Sequence, residues 1–408
     1  MLSDLLPKGN RSEEARLQPL LSWEAEGLFY DGDSFFAGLL RELGAAQTVD
    51  FETYIYENDE LGRQVADALC AAARRGARVR VLVDGVGSRW FDTEFTPQLI
   101  EAGVEVRVFH PLPWPFHPRI SSLFSGFSAA SLFRKINRRN HRKVVILDER
   151  CAWVGSMNVS ACHLHSLAGP EAWRDTGARV AGPPITRLIE AFEQAWRRSW
   201  SPGSPRTLRR PRTWLRLPTP PPSPPNVQQG ELVRLNYTRP LRRLAYREFL
   251  RRIVDAHQRI WITNPYFVPN TLLVRALVFA AFKGVDVRLI VPRRPDHLFM
   301  RWAASAFYGQ LLQGGVRIFE YLPRTLHAKT FLIDEWVSVG SNNLNHRSLI
   351  HDLEVDIGLT HPESQESLER QFLIDMSESQ EVTIGDWRNL PVWERLAGKL
   401  ILFFKHFL

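Results

Sequence analysis

Arg75-Gly76-Ala77-Arg78-Val79-Arg80-Val81-Leu82-Val83 has a counterpart later in the chain, Lys283-Gly284-Val285-Asp286-Val287-Arg288-Leu289-Ile290-Val291. Each copy follows an Ala- and Leu-rich segment of helical character, turns on a glycine and ends in a continuous apolar run rich in β-branched residues. That order predicts a helix, a glycine turn and a strand buried on both faces. Further echoes lie outward from this pair. Ala102-Gly103-Val104-Glu105-Val106-Arg107-Val108-Phe109 matches Gly314-Gly315-Val316-Arg317-Ile318-Phe319, and Glu52-Thr53-Tyr54-Ile55-Tyr56 loosely matches Asn264-Pro265-Tyr266-Phe267. Strands alternating with helices predict an α/β sheet in each half, so the chain reads as a duplicated α/β domain.

The join is visible in composition. From Ser201 to Gly230 the chain is dense in proline and arginine, including Pro218-Thr219-Pro220-Pro221-Pro222-Ser223-Pro224-Pro225. Proline donates to neither helix nor ladder, which predicts an extended connector. The expected organisation is a first half over 1–200 with an insert at 111–139, a linker over 201–230, a second half over 231–386 and a tail over 387–408. The chain has 408 residues, 44% hydrophobic, enough for a large core. Its net charge of +8 favours an anionic partner, either nucleic acid or an acidic membrane surface. Three cysteines without paired metal-ligand spacing fit a reducing compartment. The N-terminus shows no secretory signal, and no stretch approaches the ~18 uncharged apolar residues of a spanning helix. Thr271 to Phe282, interrupted by Arg275, reads as a short core helix.

A third echo carries chemistry. Asn140-His141-Arg142-Lys143-Val144-Val145-Ile146-Leu147-Asp148 is followed by Gly155-Ser156-Met157-Asn158. Leu326-His327-Ala328-Lys329-Thr330-Phe331-Leu332-Ile333-Asp334 is followed by Gly340-Ser341-Asn342-Asn343. In extended chain alternate side chains share a face, so His141 and Lys143 point together, as do His327 and Lys329. Asp148 and Asp334 have the opposite parity and are expected to support the site without doing chemistry. Lysine, asparagine and serine offer charge and donors to the non-bridging oxygens of a phosphate, which predicts phosphate binding at Ser156, Asn158, Ser341 and Asn343. One histidine can attack phosphorus while the other protonates the leaving oxygen. Two lysines already neutralise the developing charge, so no metal or other cofactor is expected.

The doubled pattern, from about Phe51 to about Thr360, resembles the signature of the phospholipase D superfamily. The resemblance implies two similar α/β sandwich halves, related by a pseudo-two-fold axis, around one shared active site. It also implies a carboxylate downstream of each motif to orient its histidine, at the places held here by Asp175 and Glu354. It gives His141 as nucleophile and His327 as acid and base; the residues themselves are nearly symmetric and leave the order open.

Gly169-Pro170-Glu171-Ala172-Trp173-Arg174-Asp175 and the compact layout are similar to the bacterial cardiolipin synthases. That likeness implies transfer of a phosphatidyl group between two phosphatidylglycerols with release of glycerol. It also implies a peripheral position on the cytoplasmic side of the inner membrane. Two segments read independently as interfacial anchors. One is the insert, with Trp114, Phe116, Leu123, Phe124, Phe127, Leu132 and Phe133 before Arg134, Lys135, Arg138 and Arg139. The other is the apolar and basic tail from Arg395 to Leu408. Packing on the chain's own core is the other reading of both. Hydrolysis by water needs the same residues. A nucleic-acid phosphodiesterase is disfavoured, because the aromatics gather in one insert with aliphatic residues. Cys162-His163-Leu164-His165 looks like a fragment of a metal site, but without a second ligand cluster it reads as pocket wall or surface.

Overall fold

In the structure, a computed structural model, residues 22–111, 138–202 and 232–404 are described. The first half contains β1 (Ala25–Phe29), β2 (Thr48–Thr53), β3 (Arg78–Asp84), β4 (Glu105–Phe109), β5 (Val144–Leu147), β6 (Cys151–Gly155) and β7 (Gly177–Ala181). The second contains β8 (Val233–Leu235), β9 (Arg259–Thr263), β10 (Asp286–Pro292), β11 (Arg317–Tyr321), β12 (Thr330–Ile333), β13 (Trp336–Gly340), β14 (Val355–Leu359) and β15 (Ser379–Val382). The first sheet runs β1-β7-β6-β5-β2-β3-β4. The second, read from β8, runs β8-β14-β13-β12-β9-β10-β11 and then adds β15. The two orders are the same path traced twice. Three central strands in each half are parallel neighbours, and the motif-bearing strands β5 and β12 join them antiparallel.

The repeated segment behaves as its sequence requires. Helix Glu60–Arg74 leads to Gly76 at φ 95° and then β3; helix Thr271–Phe282 leads to Gly284 at φ 90° and then β10. Left-handed backbone at that point is cheap for glycine and costly for residues with a Cβ. Val79, Val81 and Val83 pack with Val65 and Leu69 of the preceding helix. Val287, Leu289 and Val291 pack with Leu273 and Leu277 in the second half. The Thr271–Phe282 helix is a core helix with one wet face, where Leu272, Phe279 and Phe282 are exposed.

The halves are joined by shared apolar packing and by backbone. Val144, Ile146, Val154 and Phe192 of the first half form one core with Leu235, Val355 and Ile357 of the second. Two reciprocal bridges cross between them. His141 N–H donates to Leu353 O and Leu353 N–H to Arg139 O, while Arg174 N–H donates to Thr325 O and His327 N–H to Arg174 O. Arg174 and Asp375 add a buried bidentate ion pair across the same boundary.

Candidate active site

The backbone bridges decide the site. Each histidine-bearing segment is laced to the residue just before the other half's carboxylate: His141 to Leu353, beside Glu354, and His327 to Arg174, beside Asp175. His141 Nδ1 lies 3.0 Å from Glu354 Oε2, and His327 Nδ1 lies 2.8 Å from Asp175 Oδ2. The pairing is therefore crossed. The reading that each acid orients the histidine of its own motif is corrected, because the ladder carries each acid over to the opposite half.

Both partners of His141 Nδ1, Glu354 and the Ser341 carbonyl at 3.2 Å, are acceptors. The ring proton therefore sits on Nδ1 and the lone pair on Nε2. His327 gives its Nδ1 proton to Asp175, and its Nε2 receives the Lys329 ammonium at 3.0 Å. The regular ladder starts one residue after each lysine, so the His-x-Lys pairs lie in extended chain at the strand entrances. Lys143 Nζ and Lys329 Nζ turn back to the carbonyls of His141 and His327 at 2.8 and 2.6 Å.

Burial sets the electrostatics. Lys143 and Lys329 are only 4% and 0% exposed. Desolvation of the ammonium pulls Lys143 down to about 7 and Lys329 to about 8, although Glu354 and Asp175 resist. Burial, with Lys143 and Lys329 alongside, holds His141 well below the usual imidazole range. Burial and Lys329 bring His327 to about 4. Burial alone would raise Asp175, but His327, His163 and Lys329 overcome it and hold the carboxyl below its usual range. Glu354 has no such surplus, and burial leaves it raised. Burial thus favours neutral imidazoles at both histidines and brings both lysines close to losing their charge near neutral pH.

The remaining candidates divide by position. The hydroxyls of Ser156 and Ser341 are turned to Asp175 and Glu354, so they brace the carboxylates. Asn158 Oδ1 accepts from Ile55 N–H at 3.2 Å. Asn343 Oδ1 is buried with no hydrogen-bond partner among the described residues. Asp148 and Asp334 stand at the far ends of β5 and β12. Asp148 accepts the N–H groups of Gln47 and Thr48, and Asp334 those of His257, Gln258 and Arg259.

Several site residues carry no motif signal. Tyr54 packs its ring 4.8 Å from His141, and Tyr266 and Trp173 stand 6.3 and 5.2 Å from His327. The tyrosines are equivalent in the repeat, which is the signal that marks them. His163 is buried in the wall beside Asp175, while His165 of the same fragment is exposed. The ligand atoms of His163, Asp175 and His327 lie within 4.8 Å of one another. Of the insert, residues 112–137 lie outside the described residues. Arg139, counted with its basic end, is corrected. It is 1% exposed and donates to Asp84 and to the His110 carbonyl, drawn inward by the ladder to Leu353.

The chain matches the protein family described as "Cardiolipin synthase, PLD-like domain" over residues 39–196 and 249–376. It belongs to that family. Among curated relatives, the cardiolipin synthase of Alkalihalophilus pseudofirmus is 31% identical over 370 residues, 90% of this chain and 69% of that one. Cardiolipin synthase B of Escherichia coli K12 is 34% identical over 341 residues, 81% of this chain and 75% of that one. Among solved structures, the phosphatidylserine synthase of Haemophilus influenzae Rd KW20 superposes over 97% of both chains with a TM-score of 0.66 at 13% identity. That last likeness speaks for the fold. In this family frame, the two PLD-like matches fall on the two halves, each of which supplies one His-x-Lys pair and the carboxylate for the other.

Proposed function

We propose that this chain is a phosphatidyltransferase that makes cardiolipin from two phosphatidylglycerols through a phosphatidyl-histidine intermediate. The supporting observation is the crossed site: two buried His–carboxylate pairs with a buried lysine beside each. Residues 1–200 and 231–386 are read as the two halves, with 201–230 as linker and 387–408 as tail.

The phosphate of a first phosphatidylglycerol sits between Lys143 and Lys329, with Asn158 and Asn343 at its oxygens. Its negative charge favours the imidazolium form of His327, which Asp175 supports from behind. Neutral His141 attacks phosphorus through Nε2. The bond from phosphorus to the glycerol oxygen breaks, and that oxygen takes the proton from His327 Nε2. Glycerol leaves, and the phosphatidyl group remains on His141. His327, now neutral, takes the proton of a glycerol hydroxyl on a second phosphatidylglycerol. That oxygen attacks phosphorus, the phosphorus–nitrogen bond breaks, and cardiolipin departs with both histidines restored.

A peripheral site on the cytoplasmic face of the inner membrane fits this reaction. No helix among the described residues is long and apolar enough to cross a membrane. The tail helix Val392–Ile401 packs on helix Leu298–Gln313 so closely that a Cβ on Gly398 would sit 2.2 Å from Trp302 O. Its outer face exposes Val392, Trp393, Leu396 and Leu400, continuing to Phe403. Its end, Ile401 and Leu402, packs with Met300 and Ala303 next to Tyr266, which adjoins His327. Exposed Leu298 and Phe299 lie at the start of the helix beneath. An apolar surface of this kind beside the site mouth suits reversible lipid attachment. No nucleic-acid partner is proposed.

Purified protein with labelled phosphatidylglycerol tests the reading. Cardiolipin and glycerol in equal amounts are expected. Phosphatidic acid without cardiolipin would replace transfer by hydrolysis, and salt-sensitive DNA binding without lipid turnover would replace both.

A further inference from the structure

The two halves are unequal around their carboxylates. Five residues after Asn158 stands His163; five residues after Asn343 stands Ser348. His163 is 1% exposed, and its Nε2 accepts the N–H of Asn158 at 3.1 Å. An accepting Nε2 leaves the ring proton on Nδ1. That Nδ1 lies 3.3 Å from Asp175 Oδ2, the same oxygen that receives His327 Nδ1 at 2.8 Å. His327 Nδ1–H therefore donates to that oxygen and His163 Nδ1 stands beside it in close contact outside hydrogen-bond geometry, while the Ser156 hydroxyl and the Thr176 N–H hold the other.

The ring is fixed from several sides. Gly32 lies so close that a Cβ there would meet His163 O at 2.3 Å. Asp59 accepts from Ala161 N–H, and Asp33 accepts from the N–H groups of His165 and Ser166. Trp173 presents its edge at 5.3 Å. In the second half the equivalent position holds Ser348, which has no ring nitrogen to set beside Glu354.

We infer that His163 is a positioning residue for the acid-base step, holding the Asp175 carboxylate that seats His327. The inference rests on the proposed two-histidine reaction. A carboxylate held by three hydrogen bonds, with the His163 Nδ1–H dipole 3.3 Å away, stays anionic and favours a proton on His327 when phosphate arrives. Glu354, without the second imidazole, stands behind a histidine whose Nδ1 is shared with a neutral carbonyl, the better arrangement for a neutral nucleophile. The near-symmetric motifs are thus given different tasks by a residue outside both motifs.

The test compares leaving groups. Glycerol leaving from phosphatidylglycerol needs an acid; p-nitrophenol leaving from phosphatidyl-p-nitrophenol does not. His163→Phe is expected to slow first-turnover release of glycerol roughly 10- to 100-fold, the loss of a polar N–H beside the carboxylate that supports a general acid. Release of nitrophenol should change several-fold at most. His163→Asn, whose amide N–H stands near the place of Nδ1–H, is expected to restore most of the glycerol rate. Equal loss on both substrates, or no loss on either, would overturn the role. Imidazole ¹⁵N shifts of the wild-type protein decide the underlying contact even if a variant does not fold. A neutral Nδ1–H tautomer at His163 supports it, and an Nε2–H tautomer overturns it. A wild-type protein inactive on phosphatidylglycerol would instead defeat the proposed reaction, leaving the ¹⁵N result to decide the His163–Asp175 contact alone.

Discussion

At the scale of single residues the chemistry depends on where protons sit. Glu354 keeps the His141 proton on Nδ1 and the lone pair on Nε2, and Asp175 does the same for His327. Replacing either acid by its amide puts a donor or a misplaced acceptor behind the ring and disturbs the tautomer. Glu354→Gln is expected to slow nitrophenol release from the activated substrate by roughly 10²–10⁴-fold, because it acts on the proposed nucleophile. Asp175→Asn should spare that release and slow glycerol release instead. Rapid-quench measurement of both products separates the two.

The lysines give a pH prediction. Burial disfavours their charged form, so they lose protons near pH 7 for Lys143 and pH 8 for Lys329 in the free protein. A neutral lysine no longer attracts phosphate, so kcat/KM should fall as pH rises through that window. Bound phosphate favours the ammonium form, so the matching limb of kcat should lie higher. A kcat/KM profile flat to pH 10 would contradict this electrostatic picture.

At the scale of elements, Asp148 and Asp334 show what the motif's last position does. Both adopt left-handed backbone, φ 53° and 48°, at the end of a motif strand and accept neighbouring backbone N–H groups. Asp334→Ala removes three accepted bonds and places a Cβ-bearing residue without a local acceptor in that conformation. A loss of about 2–4 kcal/mol of stability is expected by denaturant titration, with activity per folded molecule near wild type.

Parity in an extended chain made this division legible beforehand: His141 and Lys143 share a face and Asp148 takes the other. The glycine turns at Gly76 and Gly284 likewise announced both sheets. The crossing of acids was not legible. It arises from backbone bonds between Leu353 and the His141 segment, and between Arg174 and the His327 segment, and no local pattern encodes pairing between distant chain entrances. His163 was masked for a similar reason. In sequence it reads as part of Cys162-His163-Leu164-His165, and only tertiary packing separates the buried imidazole from the exposed one. Arg139 misled in the opposite direction, since a basic residue at the end of an aromatic insert reads as surface until its ladder partner is known.

At the scale of the whole molecule, one site is made by two halves, and neither alone holds a motif histidine together with its carboxylate. The Arg174–Asp375 pair and the shared core around Val355 and Ile357 keep the acids in register with the opposite histidines. Breaking the buried pair with Arg174→Ala leaves Asp375 without its cation in the interior. About 3–5 kcal/mol of stability should be lost by denaturant titration. The tail is proposed to set the approach to lipid. Leu396→Ser, Leu400→Ser and Phe403→Ser combined replace exposed apolar groups and are expected to weaken sedimentation with anionic liposomes at least ~10-fold, at ~0.8 kcal/mol per lost CH₂ contact. Turnover of detergent-dispersed substrate should be preserved.

The most direct measurement of the central claim is mass spectrometry of His327→Asn after reaction with phosphatidyl-p-nitrophenol. That variant keeps His141, the proposed nucleophile, and lacks the proposed base of the second step, so the covalent intermediate should accumulate. A phosphatidyl group on His141, released in step with one equivalent of nitrophenol, is the predicted result. No adduct on His141 despite nitrophenol release, or in the wild-type protein an adduct on His327 and none on His141, would contradict the assigned roles.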